Sequence, residues 1–137
     1  AFDAQHKFFR LQITSAAYSD PHLQNMSATS LHAGDVVVAI SQSGRTKALL
    51  DSMDLVKKAN GIVIAIAPSG SPIARNATIA IEVDAKEDIQ IYTPLSSRIA
   101  HLAVIDVLAI GVAQKKGPQL QQHLQQLQEG LSSLRSD

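Results

Sequence analysis

The sequence predicts a doubly wound α/β fold, in which helices cover both faces of a mainly parallel sheet and form a three-layer αβα sandwich. Two apolar runs carry this prediction, Val36 to Ile40 and Ile62 to Ala67, because a strand buried on both faces is apolar throughout. A helical pattern separates the runs, as a parallel crossover requires. With 137 residues, 45% of them apolar, we expect a single domain over residues 1–137.

The first part of the chain predicts two helices. Residues 1–9 are amphipathic and contain three phenylalanines, but no N-cap residue precedes them, so we expect the sequence to begin inside a helix. A short apolar stretch follows over residues 11–18. Asp20-Pro21 then begins a second helix that runs to about Leu31, because Asp is a good N-cap and Pro suits the first turn.

The middle of the chain alternates helices and strands. After the first strand, apolar residues at helical spacing over residues 49–56 predict a helix that ends at Asn60-Gly61. The second strand follows directly, and a loop with proline and glycine leads through a short helix into a third strand over Ala77 to Val83. Residues 84–94 are expected to form a connection.

The last part of the chain predicts two more helices. The first, from Ser96 or Ser97 to Lys116, is apolar on almost every side, so we expect the sheet on one face and a second subunit on another. This predicts a homodimer or higher homo-oligomer through residues 97–116. Residues 117–137 are expected to form a glutamine-rich amphipathic helix whose leucines are spaced 4, 3, 4, 3. We expect this helix to pack on its own domain or its dimer partner, and a long independent coiled coil is the alternative.

Composition and charge exclude several classes of protein. Twelve basic residues balance twelve acidic ones, so no net field draws the chain toward nucleic acid or an anionic membrane. The sequence has no cysteine, which excludes disulfides and thiolate chemistry and fits the cytoplasm. No uninterrupted apolar run reaches the roughly 18 residues of a membrane helix, so no membrane partner is expected. The five histidines are scattered, and we predict neither a metal site nor a cofactor.

The loop Ser41 to Thr46 carries the functional prediction, because it places two serines, a glycine and a threonine between a buried strand and a helix. N–H groups at a helix start lack partners within the helix, the helix dipole is positive there, and hydroxyls add donors, so this loop suits a phosphate dianion. Gly44 lets the backbone approach the ligand closely. The alternative is that the hydroxyls merely cap the helix. Neither the P-loop nor the dinucleotide pattern is present, so one phosphate on a small molecule is expected.

Ser-Gln-Ser-Gly-Arg-Thr after an apolar strand resembles the signature loop of the SIS (sugar isomerase) domain, a flavodoxin-like fold of aminosugar synthases, phosphosugar isomerases and RpiR-type transcription regulators. Residues 71–74 (Ser-Pro-Ile-Ala) and 94–100 (Pro-Leu-Ser-Ser-Arg-Ile-Ala) resemble the RpiR regulators in particular, and residues 3–9 (Asp-Ala-Gln-His-Lys-Phe-Phe) resemble their HexR branch. The resemblance implies that the sugar phosphate is held by Ser41, Gln42, Ser43 and Thr46, with Gly44 between them.

The same resemblance implies a phosphosugar-sensing domain of a bacterial regulator of carbohydrate metabolism, and the HexR branch senses 2-keto-3-deoxy-6-phosphogluconate. Members of that branch have a helix-turn-helix domain, a first strand and a Gly-rich loop ahead of the helix with which this sequence begins. We therefore expect DNA contact, and one side of the ligand site, to belong to residues outside this sequence.

SIS isomerases resemble one another in having a glutamate near the start of the long helix, where this sequence has Ser96-Ser97-Arg98. Without an evident base we expect binding rather than turnover, and no catalytic residue is predicted. An isomerase with a base from a histidine or a neighbouring subunit and a purely structural dimerisation module are the alternatives. Ser97, Arg98 and Lys7 are possible ligand contacts, although Ser97 can equally cap the helix and Arg98 can equally form an ion pair. His101 and Asp106 are expected to be buried polar residues with satisfied hydrogen bonds.

Overall fold

The computed structural model describes residues 1–85 and 96–132, and the chain divides into two compact units. The first, which we call the sheet unit, comprises Tyr18–Leu102. The second, which we call the helical unit, combines Ala1–Ala17 with Ala103–Asp137. Most of the connection expected over residues 84–94 lies outside the described residues, as does Leu134, the last of the leucines spaced 4, 3, 4, 3.

A parallel three-stranded sheet forms the centre of the sheet unit, which confirms the predicted α/β class. In the order in which they pair, its strands are β1 (Val36–Ile40), β2 (Ile62–Ala67) and β3 (Ile79–Glu82). β2 is the central strand, and Val63, Ala65 and Ile66 are completely buried. Burial on both faces is the physical reason for its unbroken apolar sequence.

Three helices lie wholly in the sheet unit: α2 (Pro21–Thr29), α3 (Lys47–Lys58) and α4 (Pro72–Asn76). The predicted cap of α2 is confirmed, because the Asp20 carboxylate accepts a hydrogen bond of 3.0 Å from the N–H of Leu23. Met53 and Val56 of α3 are buried in a core that also contains Ala39 of β1. Burial of side chains of this size stabilises the fold by about 1.5–3 kcal/mol each.

The helical unit contains α1 (Phe2–Arg10), most of α5 (Ser96–Lys116) and α6 (Pro118–Ser132). Two contacts join α1 to α5. The Lys7 ammonium, which also pairs with Asp3 of the same helix at 2.7 Å, forms an ion pair with Asp106, and Lys116 Nζ donates at 2.7 Å to the carbonyl of Leu11, the residue that follows α1. The expectation that Asp106 is buried is wrong: its carboxylate is exposed and is satisfied by Lys7.

Much of the apolar surface of α5 is open to solvent in the single chain. In the helical unit Ile105 is buried, but Val107 and Ile110 are 69% and 58% exposed. The part of α5 that lies in the sheet unit exposes Ile99 and Leu102 in the same way. Among the described residues, α5 is also the one helix long and apolar enough to cross a membrane, which is weak evidence because core helices of soluble proteins have the same length and composition. Its expected cover is not supplied by the described part of this chain.

Candidate functional site

The loop between β1 and α3 folds around the hydroxyl of Ser41. Ser41 is buried, and its N–H donates to the Ile66 carbonyl of the neighbouring strand at 3.0 Å. Its Oγ accepts the N–H of Gly44 at 3.0 Å and lies 3.4 Å from Oγ1 of Thr46. These hydrogen bonds turn the chain back on itself, so that Ser43 lies exposed at the surface of the loop.

The start of α3 keeps its capacity to bind an anion. Thr46 is the N-cap residue, but its side chain makes no capping hydrogen bond. The first turn contains no acidic residue and begins with Lys47, so no local carboxylate neutralises the positive end of the helix dipole. The alternative that the loop hydroxyls merely cap the helix therefore has no support at Thr46.

Gly44 is required by the packing of two loops. Its φ of 64° lies in the left-handed region, which favours glycine. A β-carbon on Gly44 would overlap Cβ and Oγ of Ser71, in the loop after β2, and would lie 3.1 Å from Cδ of Pro68. The Ile73 N–H also donates to the Gly44 carbonyl at 3.0 Å. The structure thus explains this glycine by contact with a second loop, where the sequence suggested contact with a ligand.

A cleft of about 370 Å³ opens beside the loop, within the sheet unit. This volume falls in the range of small-molecule sites. Ser97 and His101 of α5 stand one helical turn apart, which brings both to the same side of the cleft. The complete lining comprises Gln42, Ser43, Arg45, Pro68, Val83, Asp84, Ala85, Ser97 and His101.

Asp84 fixes the loop after β2. Its two carboxylate oxygens accept hydrogen bonds from the hydroxyl and the N–H of Ser69, at 2.5 Å and 2.8 Å. The two hydrogen bonds hold the pKa of Asp84 below its ordinary value, and the bond from the hydroxyl contributes most. The next residue of the loop, Gly70, donates its N–H to the carboxylate of Glu82 at 2.9 Å. Two carboxylates at the end of β3 therefore hold one short loop.

The structure brings together some of the residues that the sequence selected. Gln42, Ser43 and Ser97 line the cleft, whereas Ser41 is buried behind the loop surface and Thr46 stands beside it at the start of α3. Arg98 is exposed and is not part of the lining. Lys7 lies in the helical unit, where it pairs with Asp3 and Asp106.

Three residues of the cleft were not predicted from the sequence as site residues: Arg45, Asp84 and His101. The spacing of four between Ser97 and His101 was a usable signal for His101. Asp84 had no local signal, because only the pairing of β3 with β2 brings it beside the loop. In the part of the chain that the structure describes, no group of three His, Asp or Glu side chains could hold a metal ion.

Residues 2–111 match the SIS domain family. The chain belongs to that family. It is 43% identical over 137 residues to the HTH-type transcriptional regulator HexR of Escherichia coli, an alignment that covers 100% of the chain and 47% of that protein. To HexR of Pseudomonas aeruginosa it is 41% identical over 131 residues, with 96% of the chain and 46% of that protein covered. This SIS chain therefore spans about half the length of the curated relatives it matches.

A solved structure shows the same SIS fold. The Vibrio vulnificus NanR protein complexed with ManNAc-6P superposes with a TM-score of 0.84 at 23% sequence identity, covering 98% of the chain and 51% of NanR. At this identity the likeness establishes the fold. Together with the family match, it confirms the SIS domain that the sequence motifs indicated, and the part of each HexR regulator that this chain resembles is about half of that protein.

Proposed function

We propose that this chain is the sugar-phosphate-sensing domain of a bacterial transcription regulator of carbohydrate metabolism. The observation that carries the proposal is that Gln42 and Ser43 share one cleft with Ser97, beside the uncapped start of α3. The identity of 41% and 43% to two HexR regulators supports the regulatory role. The residues proposed to bind the ligand phosphate are Ser41, Gln42, Ser43, Gly44 and Thr46.

The proposed ligand is a sugar-acid phosphate, with 2-keto-3-deoxy-6-phosphogluconate as the first candidate because of the similarity to the HexR branch. A NanR domain of the same fold is found in complex with ManNAc-6P, which supports a phosphorylated sugar of this size. Arg45 supplies a guanidinium in the lining, and guanidinium groups pair well with carboxylates and phosphates. Ser97 is proposed as a further donor to the ligand.

Two more cations, Arg98 and Lys7, are proposed as ligand contacts. Arg98 forms no ion pair or hydrogen bond with its side chain among the described residues, so its guanidinium is available to an anion. Lys7 already contacts two carboxylates, Asp3 and Asp106, and would have to exchange one of them for the ligand.

We propose that the ligand is bound and not converted. Ser96-Ser97-Arg98 occupies the start of α5, and in the described lining of the cleft the one carboxylate is Asp84, whose two oxygens accept hydrogen bonds from Ser69. A phosphosugar isomerase is the second candidate, and the position of His101 in the lining favours it, because an imidazole can move a proton between adjacent sugar carbons.

We further propose that the domain works in the cytoplasm as a homodimer through α5, and that a helix-turn-helix region outside this chain binds DNA. The exposed apolar residues Val107 and Ile110 are the surface that a second copy would cover. A ligand transmits a signal only if it binds two arrangements of the dimer with different affinity.

A thermal-shift screen tests the proposed function. The panel contains 2-keto-3-deoxy-6-phosphogluconate, ManNAc-6P, glucose 6-phosphate, fructose 6-phosphate and inorganic phosphate. A sugar phosphate at 100 times its Kd should stabilise the domain by about 2.7 kcal/mol. If the chain interconverts glucose 6-phosphate and fructose 6-phosphate, it is an isomerase and the proposal of a sensing domain is wrong. If no sugar phosphate raises the Tm, the domain is a structural dimerisation module.

A further inference from the structure

We propose that Asp84 is a positioning residue of the phosphate site: its carboxylate holds the loop of residues 68–71, and that loop holds Gly44 and the phosphate-binding loop around it. The inference rests on the proposed function, because it concerns the same site. It assigns a role to a carboxylate that lines a cleft proposed to bind an anion, where a negative charge by itself is unfavourable.

The first step is the link between β3 and the loop. Asp84 follows β3 closely, and both of its carboxylate oxygens accept hydrogen bonds from one residue, Ser69, at 2.5 Å and 2.8 Å. Hydrogen bonds to an ionised acceptor are stronger than those between neutral groups. An aspartate is ionised at neutral pH, and the hydrogen bonds from Ser69 hold the pKa of Asp84 still lower. The strand end and the loop are therefore joined at two points.

The second step is the link between the two loops. Within the loop of residues 68–71, the Ser71 N–H donates to the Pro68 carbonyl at 3.1 Å and closes a turn. Ser71 is buried, and its side chain occupies the space next to the α-carbon of Gly44. The Ile73 N–H, at the start of α4, donates to the Gly44 carbonyl at 3.0 Å. A shift of the loop of residues 68–71 would consequently displace Gly44.

The third step leads from Gly44 to the ligand. The Gly44 N–H donates to Ser41 Oγ, and the flanking residues Ser43 and Arg45 both line the cleft. Asp84 is thus connected to these donors through a continuous series of hydrogen bonds and packing contacts, the kind of network that carries coupling between residues.

The two possible roles of Asp84 predict opposite effects when its charge is removed. If the carboxylate only contributes a local field, its removal lowers the repulsion of a phosphate and binding becomes tighter. If it positions the loops, its removal lets the phosphate loop relax and binding becomes weaker. The sign of the change in affinity therefore separates the two roles.

The test measures the Kd of inorganic phosphate and of 2-keto-3-deoxy-6-phosphogluconate by calorimetry for the wild type and five variants. Asp84→Ala should weaken both by about threefold to tenfold. Asp84→Asn should recover most of the affinity, because the amide oxygen still accepts from the N–H of Ser69. Ser69→Ala should also weaken binding, and combining it with Asp84→Ala should add little. Asp51→Ala is the matched control, since it removes an exposed carboxylate of α3 that makes no described hydrogen bond or ion pair.

Tighter binding in both Asp84→Ala and Asp84→Asn would overturn the inference, and so would a lower Tm with unchanged affinity. If the wild-type chain binds neither probe, the proposed function fails and the inference is decided without ligand. Amide hydrogen exchange of residues 43–45 should then be faster in Asp84→Ala than in Asp51→Ala. Equal exchange in these two variants would contradict a positioning role.

Discussion

Ser71 and Gly44 pack so closely that a β-carbon on Gly44 would overlap both Cβ and Oγ of the serine. The two residues lie in loops that follow neighbouring parallel strands, β1 and β2, at the sheet edge where ligands bind in open α/β folds. The loop proposed to hold the phosphate is therefore shaped in part by a contact with its neighbour, and this contact permits only glycine at position 44.

Gly44→Ala should destabilise the domain and abolish ligand binding. The left-handed conformation costs a non-glycine residue about 1–3 kcal/mol. The overlap with Ser71 adds a similar overpacking cost, about 1–3 kcal/mol, because Ser71 is buried and its Cβ cannot move away unless the backbone of its loop also moves. Chemical denaturation measures the loss of stability, and a thermal-shift titration with 2-keto-3-deoxy-6-phosphogluconate measures the loss of ligand binding.

Gly70→Ala is the matched control for this substitution. Gly70 has a φ of 62°, close to that of Gly44, but a β-carbon there would have no atom within 4 Å. It should therefore show the conformational cost alone and retain ligand binding. Equal losses of stability in the two variants would mean that the contact with Ser71 does not constrain the loop.

Ser43→Ala and Ser41→Ala should differ in their effect on the unliganded domain. Ser43 is exposed, so its loss should change the free energy of unfolding by less than about 0.5 kcal/mol while it removes the thermal shift with sugar phosphate. Ser41 is buried and accepts the N–H of Gly44, so Ser41→Ala should also cost about 1–3 kcal/mol of stability. Differential scanning fluorimetry with and without ligand measures both effects.

The control for the serine pair is Ser30→Ala, which removes an exposed hydroxyl at the end of α2 and should leave the ligand-induced shift intact. An unchanged shift in Ser43→Ala would refute the assignment of the phosphate site. The burial of Ser41 is the reason that only Ser41→Ala should also lower the stability of the unliganded domain.

The fold could be predicted where a signal is local. β1 and β2 have the bounds that their apolar runs indicated, because turns flank both runs. β3 is shorter than the predicted Ala77 to Val83. At Thr78 the hydroxyl oxygen accepts the N–H of Val63 at 3.1 Å, and the Thr78 N–H donates to the Val63 carbonyl at 2.9 Å, so a side chain takes the place of one backbone partner. The cover of α5 could not be read from one chain, since nothing in a sequence distinguishes a helix buried in its own core from one buried by a second copy.

In the candidate site too, the residues with a local sequence signal could be predicted and the others could not. Ser41 to Thr46 could be found because all its hydroxyls lie in six consecutive residues, and a loop of this kind after an apolar strand has a known chemical meaning. Asp84 could not be found, because it reaches the cleft through the parallel register that places Glu82 beside Ala67. Residues that meet through strand pairing leave no periodic trace in the sequence.

The contribution of Asp84 to stability should disappear in acid. Its pKa is lowered in the folded state by the hydrogen bonds from Ser69, so its stabilising effect is complete above the ordinary pKa of an aspartic acid and is lost as the pH falls through the lower folded-state pKa. The difference in Tm between wild type and Asp84→Asn should be constant from about pH 7 to pH 5 and should shrink toward about pH 3. Ser69→Ala removes the hydroxyl that donates to Asp84, so it should reduce the pH dependence of this difference in Tm. A difference in Tm that persists unchanged in acid would contradict the role of the ionised carboxylate.

Substitutions on α5 should separate folding from association. Ile105 is buried and Val107 is 69% exposed, both in the helical unit. Ile105→Asp places a charge in the core and should cost roughly 4 kcal/mol or more, enough to unfold that unit. Val107→Asp leaves the monomer folded, but it should weaken a dimer formed through this face by about tenfold or more, because a charge must then be buried between the subunits.

Sedimentation equilibrium gives the association constant, and circular dichroism gives the fold of each variant. Gln114→Asp is the matched control, because it adds the same charge at an exposed polar position of α5 and should leave both association and fold unchanged. If the chain is a monomer, the exposed apolar residues Val107 and Ile110 must be covered by a different molecule, because soluble monomers rarely expose large apolar patches. A folded Val107→Asp variant with the wild-type association constant would therefore exclude this face as the dimer interface, and the face would need a different partner.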